Sequence, residues 1–284
     1  MGRLRNFKNT RSAGGGRISR RELLGAATAA ATLTVVPRQV LGGTKQVAPS
    51  EKITLAGIGV GGQGLQDIAS LLEFPEVQVV AVCDVNREGG GYLSWNWTEG
   101  KEQKAAGREP ARRLVEEHYA QQRSSGKYQG CRAYTDFREL LDKEDVEAVM
   151  VATPDHTHAV ITMNALKRGK HVYCEKPLTY SVYEARQVTV AARRAKVATQ
   201  LGNQGQAAEE ARLTCEMIWD GAIGPVHEVQ VWSPARFWSW PTWDGRPPET
   251  PAVPDGLDWD LWLGPAAERP YHPAYCPWTW RNWW

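Results

Sequence analysis

From Lys52 onward, short apolar runs rich in β-branched residues alternate with amphipathic stretches. The runs at 53–58, 77–83, 146–152, 171–174 and 197–201 have the length and composition of buried strands. Between them, residues 65–72, 111–122, 137–141, 158–168 and 182–195 carry apolar positions at helical spacing. This alternation predicts an α/β fold, a parallel sheet covered by helices on both faces. Asp136 and Asp155 stand where a short acceptor would cap the helix that follows. The stretch 88–110, with Gly89-Gly90-Gly91, Trp95 and Trp97, breaks the pattern. It reads either as a loop inserted over the mouth of a cleft or as a disordered excursion. After Gly202 the pattern changes to a helix at 207–219, an alternating strand at 226–232 and a tail dense in tryptophan, proline and tyrosine. Eleven of the 13 tryptophans lie beyond residue 218; core packing is their ordinary role, and stacking on a sugar face is the other.

The first strand runs into Gly59-Val60-Gly61-Gly62-Gln63-Gly64 and then a helix. Gly59 permits a tight turn, Gly61 lets backbone approach a phosphate, and Gly64 lets the helix pack close to the strand. The helix start adds free N–H groups and partial positive charge, so a dinucleotide diphosphate fits there. A second frame, Gly57, Gly59 and Gly62, matches the spacing as well. The next strand decides for the first frame, because it ends in Asp84 about 20 residues past Gly64, the separation of an acid that bonds the adenosine ribose. A carboxylate there favours NAD over NADP, while Arg87 nearby keeps NADP open.

The first 43 residues differ from the rest. Seven basic residues up to Arg21 precede an apolar run at 23–36 closed by Pro37, and Arg20-Arg21 after Ser19 resembles the twin-arginine export pattern. The expected location is therefore the periplasm, reached by the Tat route, with the export machinery as a partner. The apolar run is shorter than the roughly 20 residues that span a bilayer. This leader holds eight basic residues and one acid, so the remainder of a chain of net charge +2 is near −5, which argues against nucleic acid as a partner. Five scattered cysteines form no C-x-x-C pair, and Cys83 and Cys174 fall in apolar strand patterns that suit inert packing. His156 and His158 make an H-x-H pair with no third ligand cluster, so no metal is expected.

Two further segments, Ala152-Thr153-Pro154-Asp155-His156-Thr157-His158 and Tyr173-Cys174-Glu175-Lys176-Pro177-Leu178, together with the glycine turn and Asp84, resemble the Gfo/Idh/MocA family of nicotinamide-dependent oxidoreductases over residues 50–240. Gln200-Leu201-Gly202-Asn203-Gln204 and Leu257-Asp258-Trp259-Asp260-Leu261-Trp262-Leu263-Gly264-Pro265 extend the likeness, the latter to exported members. The resemblance implies a Rossmann doubly wound parallel sheet followed by an α+β substrate domain with a mostly antiparallel sheet. It implies domains at 44–203 and 204–284 behind the leader 1–43, and a sugar or polyol substrate. Thr153, His158 and Glu175 are implied at the cofactor, His158 capping or orienting there, and Asn203 and Gln204 at the substrate. Pro177 is implied to follow a cis bond. Lys176 is the expected proton-transfer residue, because a hydride leaves a carbinol carbon only as its hydroxyl proton is removed, and Lys176 sits at the carboxyl end of a parallel strand, where such sheets bind ligands. A satisfied histidine at the helix terminus stays open as the other reading of His158, and Glu175 could orient Lys176 by its charge instead of touching ribose.

The family's downstream Asp/Gly/His segment does not occur before Trp284, and His272 does not match it, so the second domain is expected to be truncated and the catalytic set incomplete. Three functions stay in view: a sugar or polyol dehydrogenase, a glycoside hydrolase working through transient oxidation by NAD, and a non-catalytic nucleotide-binding remnant. A homo-oligomer is expected if the second domain is complete.

Overall fold

The structure, a computed structural model, describes residues 47–92, 104–232, 245–277 and 279–282. The chain divides into two units, Met1–Ala48 and Pro49–Trp284, and the fold below is that of the second. The expected leader, Trp95 and Trp97 lie outside the described residues. Among the described residues no helix is long and apolar enough to cross a membrane.

Six parallel strands form the central sheet: β1 (Ile53–Ile58), β2 (Val77–Cys83), β5 (Arg132–Tyr134), β6 (Ala148–Val151), β7 (His171–Glu175) and β8 (Thr199–Gly202), in the order β5-β2-β1-β6-β7-β8. Strand order reverses between β1 and β6, which opens a crevice above their carboxyl ends. Helices α1 (Gly62–Leu72) and α2 (Arg108–Gln121) cover one face, burying Ile68, Leu72, Val115 and Tyr119 against Leu55, Val79 and Met150. Helices α3 (Phe137–Lys143), α4 (Asp155–Lys167) and α5 (Val182–Ala195) cover the other, burying Leu140, Ile161, Ala165 and Val188 against Ile58, Val149 and Cys174. Burial on both faces explains why these strands read as continuous apolar runs.

One extra residue in β2 sets the crevice. Leu55 pairs with Val79 but Ala56 with Ala81, so Val80 bulges and the in/out alternation shifts by one. Val80 and Ala81 then pack on the same face, and the Tyr119 hydroxyl accepts the Val79 N–H at 2.9 Å. After Cys83, packed in the core, Asp84 emerges at the rim.

Several expectations from the sequence are corrected. The 88–110 stretch holds a small antiparallel ladder, β3 (Gly89–Tyr92) with β4 (Lys104–Ala106), rather than only loop. The segment 226–232 is not a strand: it is exposed and pairs with nothing among the described residues, because alternation becomes a strand only where another edge accepts its N–H groups. Asp155 is inside the first turn of α4, whose N-cap is Pro154; Asp136 does cap α3, accepting the Arg138 N–H at 2.8 Å. Beyond α6 (Glu209–Trp219), the short helix α7 (Trp259–Leu263) is capped by Asp258 and closed by Gly264 at φ 52°.

Candidate active site

β1 ends at Ile58, so Gly57 lies within the strand and the turn falls at Gly59, whose φ is +79°. A Cβ on Gly64 would stand 1.9 Å from Gly59 O, and one on Gly59 would stand 2.5 Å from Thr153 Cγ2. These two glycines therefore let α1, β1 and the β6–α4 loop converge. Gly61 faces the Tyr92 ring, 2.4 Å from where its Cβ would be. No side chain caps α1, which leaves its first amides to another acceptor.

Above this turn lies a cavity of about 570 Å³, within the range of small-molecule sites. The glycine turn, Asp84, Thr153 and the start of α3 form its floor. Asp84 accepts the Asn86 N–H at 2.8 Å, and Arg108 donates to the Asp84 carbonyl at 3.1 Å. Burial pushes the Asp84 carboxyl up to about 6, against amide hydrogen bonds from Asn86, Val60 and Gly61 and the charge of Arg108. The Arg87 side chain instead packs on Gly256, and its N–H donates to the Gly256 carbonyl at 2.8 Å.

The cavity's outer wall is a part of the chain that the sequence reading assigned to a substrate domain. Leu261, Trp262, Gly264 and Pro265 line it, with Pro277 and Trp280 beyond. This arm is pinned to the sheet mouth where Asp258 N–H donates to Val85 O at 3.0 Å and His156 Nε2 donates to Trp262 O at 2.9 Å. Its own core stacks Trp259 on Trp262 at 4.7 Å between ring centres. The resemblance drew attention to Leu257–Pro265; Asp258 before the helix and Gly264 after it are its local signals. Nothing local indicated where it would pack.

At the end of β7, two strands from the glycine turn, Glu175 is buried and Lys176 exposed, and the Lys176-Pro177 peptide is cis. Gln204 Nε2 donates to Glu175 Oε1 at 2.5 Å, and the Lys176 N–H donates to Oε2 at 3.3 Å. Gln204 thus turns toward Glu175, while Asn203 stands at the position before the short 3-10 turn Gln204–Ala207, makes no capping side-chain hydrogen bond and is exposed. His158 is 1% exposed and does not line the cavity; its Nδ1 faces Pro177 O at 2.6 Å and its Nε2 faces Thr153 O at 2.7 Å. It joins the Thr153 loop to the Lys176-Pro177 turn. Among the described residues no group of three His, Cys, Asp or Glu side chains could hold a metal.

Residues 101–203 match the Gfo/Idh/MocA family model, whose description is an oxidoreductase family with an NAD-binding Rossmann fold. A 1,5-anhydro-D-fructose reductase from Ensifer adhaerens is 37% identical over 106 residues, 37% of this chain and 30% of the relative. An inositol 2-dehydrogenase from Rubrobacter xylanophilus is 30% identical over 50% of this chain and 32% of its own length. A glycosyl hydrolase family 109 protein from Saccharopolyspora erythraea is 29% identical over 62% of this chain and 34% of its own length. The chain thus spans about a third of the length of these relatives. The glycine turn, the uncapped helix start and the cavity beside Asp84 fit a bound dinucleotide, and residues 101–203 are similar to the NAD-binding Rossmann fold of the Gfo/Idh/MocA oxidoreductase family.

Proposed function

We propose that this protein is an NAD(P)-dependent oxidoreductase that moves a hydride to or from a hydroxyl-bearing carbon of a sugar or polyol. The observation that carries the reading is the position of Lys176 at the carboxyl end of β7, two strands along the same parallel sheet edge from the glycine turn that follows β1. When bound, NAD supplies the hydride acceptor. The open amides of α1 would hold its diphosphate, and the Asp84 carboxylate would accept from a ribose hydroxyl. Thr153 would line the approach to its ring. Lys176 would take the proton of the substrate hydroxyl, with Glu175, fixed by Gln204, orienting the turn. Asn203, exposed beside that turn, would meet the substrate.

The test has two stages. Calorimetry on folded protein should detect NAD binding, with Lys176→Ala binding equally well, and a panel of sugars and cyclic polyols should then give Lys176-dependent reduction of NAD. Absence of affinity for both nicotinamide dinucleotides would end the reading.

A second reading, glycoside cleavage through transient oxidation, is supported by the glycosyl hydrolase family 109 relative, whose match covers more of this chain than the two dehydrogenase and reductase matches. It predicts product without net NADH. Normal binding with no turnover of any sugar would instead identify a nucleotide-binding remnant. Export through the Tat route belongs to the same proposal and rests on Arg20-Arg21 and the apolar run after it; residues 1–43 fused to a reporter should direct it to the periplasm only in Tat-competent cells. Self-association is checked by light scattering.

A further inference from the structure

Two features that would meet the dinucleotide lie beside one side chain, Tyr92 at the end of β3. Gly61 is the residue whose missing Cβ lets a diphosphate come close to the backbone, and that space is taken: a Cβ there would stand 2.4 Å from Tyr92 Cε1 and 3.1 Å from Cδ1. Asp84, expected at the ribose, is only 9% exposed although it lines the cavity. It accepts the Asn86 N–H at 2.8 Å, and the Asn86 side chain donates from Nδ2 to the Tyr92 hydroxyl at 3.2 Å. Tyr92 therefore reaches from the glycine turn to the residue that holds the acid. The ring is lightly held. Among the described residues its hydroxyl makes one hydrogen bond, neutral and at the long end of the usual range. Its backbone pairs with Lys104 of β4, so the ring can turn about χ1 while the ladder stays paired, and the cavity of about 570 Å³ that it lines gives it room.

We propose that the Tyr92 ring is a displaceable occupant of the diphosphate site: ring and diphosphate compete for one face of Gly61, and the dinucleotide binds as Tyr92 turns out of the way. This rests on the nucleotide reading given above. Binding then costs the Asn86–Tyr92 contact and the packing of the ring on Gly61. The apparent affinity is lowered to the extent that the ring sits in place, because only molecules with the ring turned away are competent to bind. A ring that stayed and stacked on the nucleotide is the opposite arrangement, and it predicts the opposite sign in both measurements below.

Both measurements use the full chain and need no turnover. In calorimetry with NAD, Tyr92→Ala should bind about threefold tighter or more than the wild type, with Tyr92→Phe, which keeps the ring but loses the Asn86 contact, in between. In the wild type, nitration by tetranitromethane is scored by mass spectrometry at the Tyr92 peptide against exposed Tyr183. Saturating NAD should raise it about threefold or more, because the reagent takes the phenolate and burial in the present seat pushes the Tyr92 phenol well above its ordinary value. This second arm keeps the test decisive should Tyr92→Ala not fold. Equal or weaker binding by Tyr92→Ala overturns the competition, and so does nitration that NAD leaves unchanged or suppresses in a wild type that binds it. A wild type and a Tyr92→Ala that both bind neither nicotinamide dinucleotide overturn the nucleotide reading itself, and this inference with it.

Discussion

A Cβ on Gly202 would stand 2.3 Å from Glu175 Oε1, so the glycine ending β8 makes the space in which the buried Glu175 carboxylate sits. The adjacent strands β7 and β8 pair Glu175 directly with Gly202, and Gln204, two residues on, reaches back to close the same carboxylate. The turn carrying Lys176 is thus shaped from the neighbouring strand.

Gly202→Ala should displace Glu175, whose Cα would also lie 2.9 Å from the new methyl, and break the Gln204 contact. Overpacking of this kind costs about 1–3 kcal/mol. Urea unfolding should show that loss, while NAD affinity, seated at the end of β1 two strands from β7, changes little. A neutral effect on stability would mean the carboxylate is not confined as described.

His158→Ala should cost about 2–4 kcal/mol, since it leaves a cavity and removes the buried ring that lies between the Thr153 and Pro177 carbonyls and donates a hydrogen bond there. Hydrogen exchange should report loosening of both the 153–157 and 176–178 segments together. Loosening of one alone would contradict the bridging role.

His156 ties the outer wall to α4, and burial holds its ring below the ordinary value of 6.5. The unfolded chain therefore takes up a proton before the folded one, so this contribution to stability is whole above about pH 6.5 and falls as the pH drops beneath it. His156→Ala should raise exchange in residues 258–264 and weaken NAD binding severalfold at neutral pH. Calorimetry showing unchanged affinity would remove the wall from the cofactor site.

Asp84 has the opposite sign. Its folded-state value of about 6 exceeds the unfolded 3.8, so the native state is the better proton acceptor and stability declines as pH rises through that interval. A shift of that size is on the order of 2–3 kcal/mol. Asp84→Asn should remove this decline from a urea series between about pH 4 and pH 7, and it should lower NAD affinity at pH 7 because a neutral amide is a weaker acceptor for the ribose hydroxyl than a carboxylate.

The sheet was readable because its central strands are apolar on both faces and alternate with helical segments, the combination that a parallel sheet between helix layers produces. The glycine turn was readable too, since Gly59 needs a positive φ and Gly64 needs close approach, and both demands are local. Lys176 and Glu175 drew notice through a short motif. What encloses Glu175 did not, because Gly202 and Gln204 come from the end of β8 and the turn after it. The short edge strand β5, three residues long, had too little pattern to detect.

The sequence by itself determined the layered α/β architecture, the turn that faces a diphosphate and the acid at the end of β2, because periodicity and backbone freedom are properties of neighbours along the chain. Only the tertiary structure decided that the 256–265 arm walls the cavity, that His158 is a buried bridge, and that one buried oxygen of Asp67 has no hydrogen-bond partner among the described residues. Those facts depend on which distant surfaces meet and which polar atoms lose water when they do, and no spacing along the chain encodes that meeting.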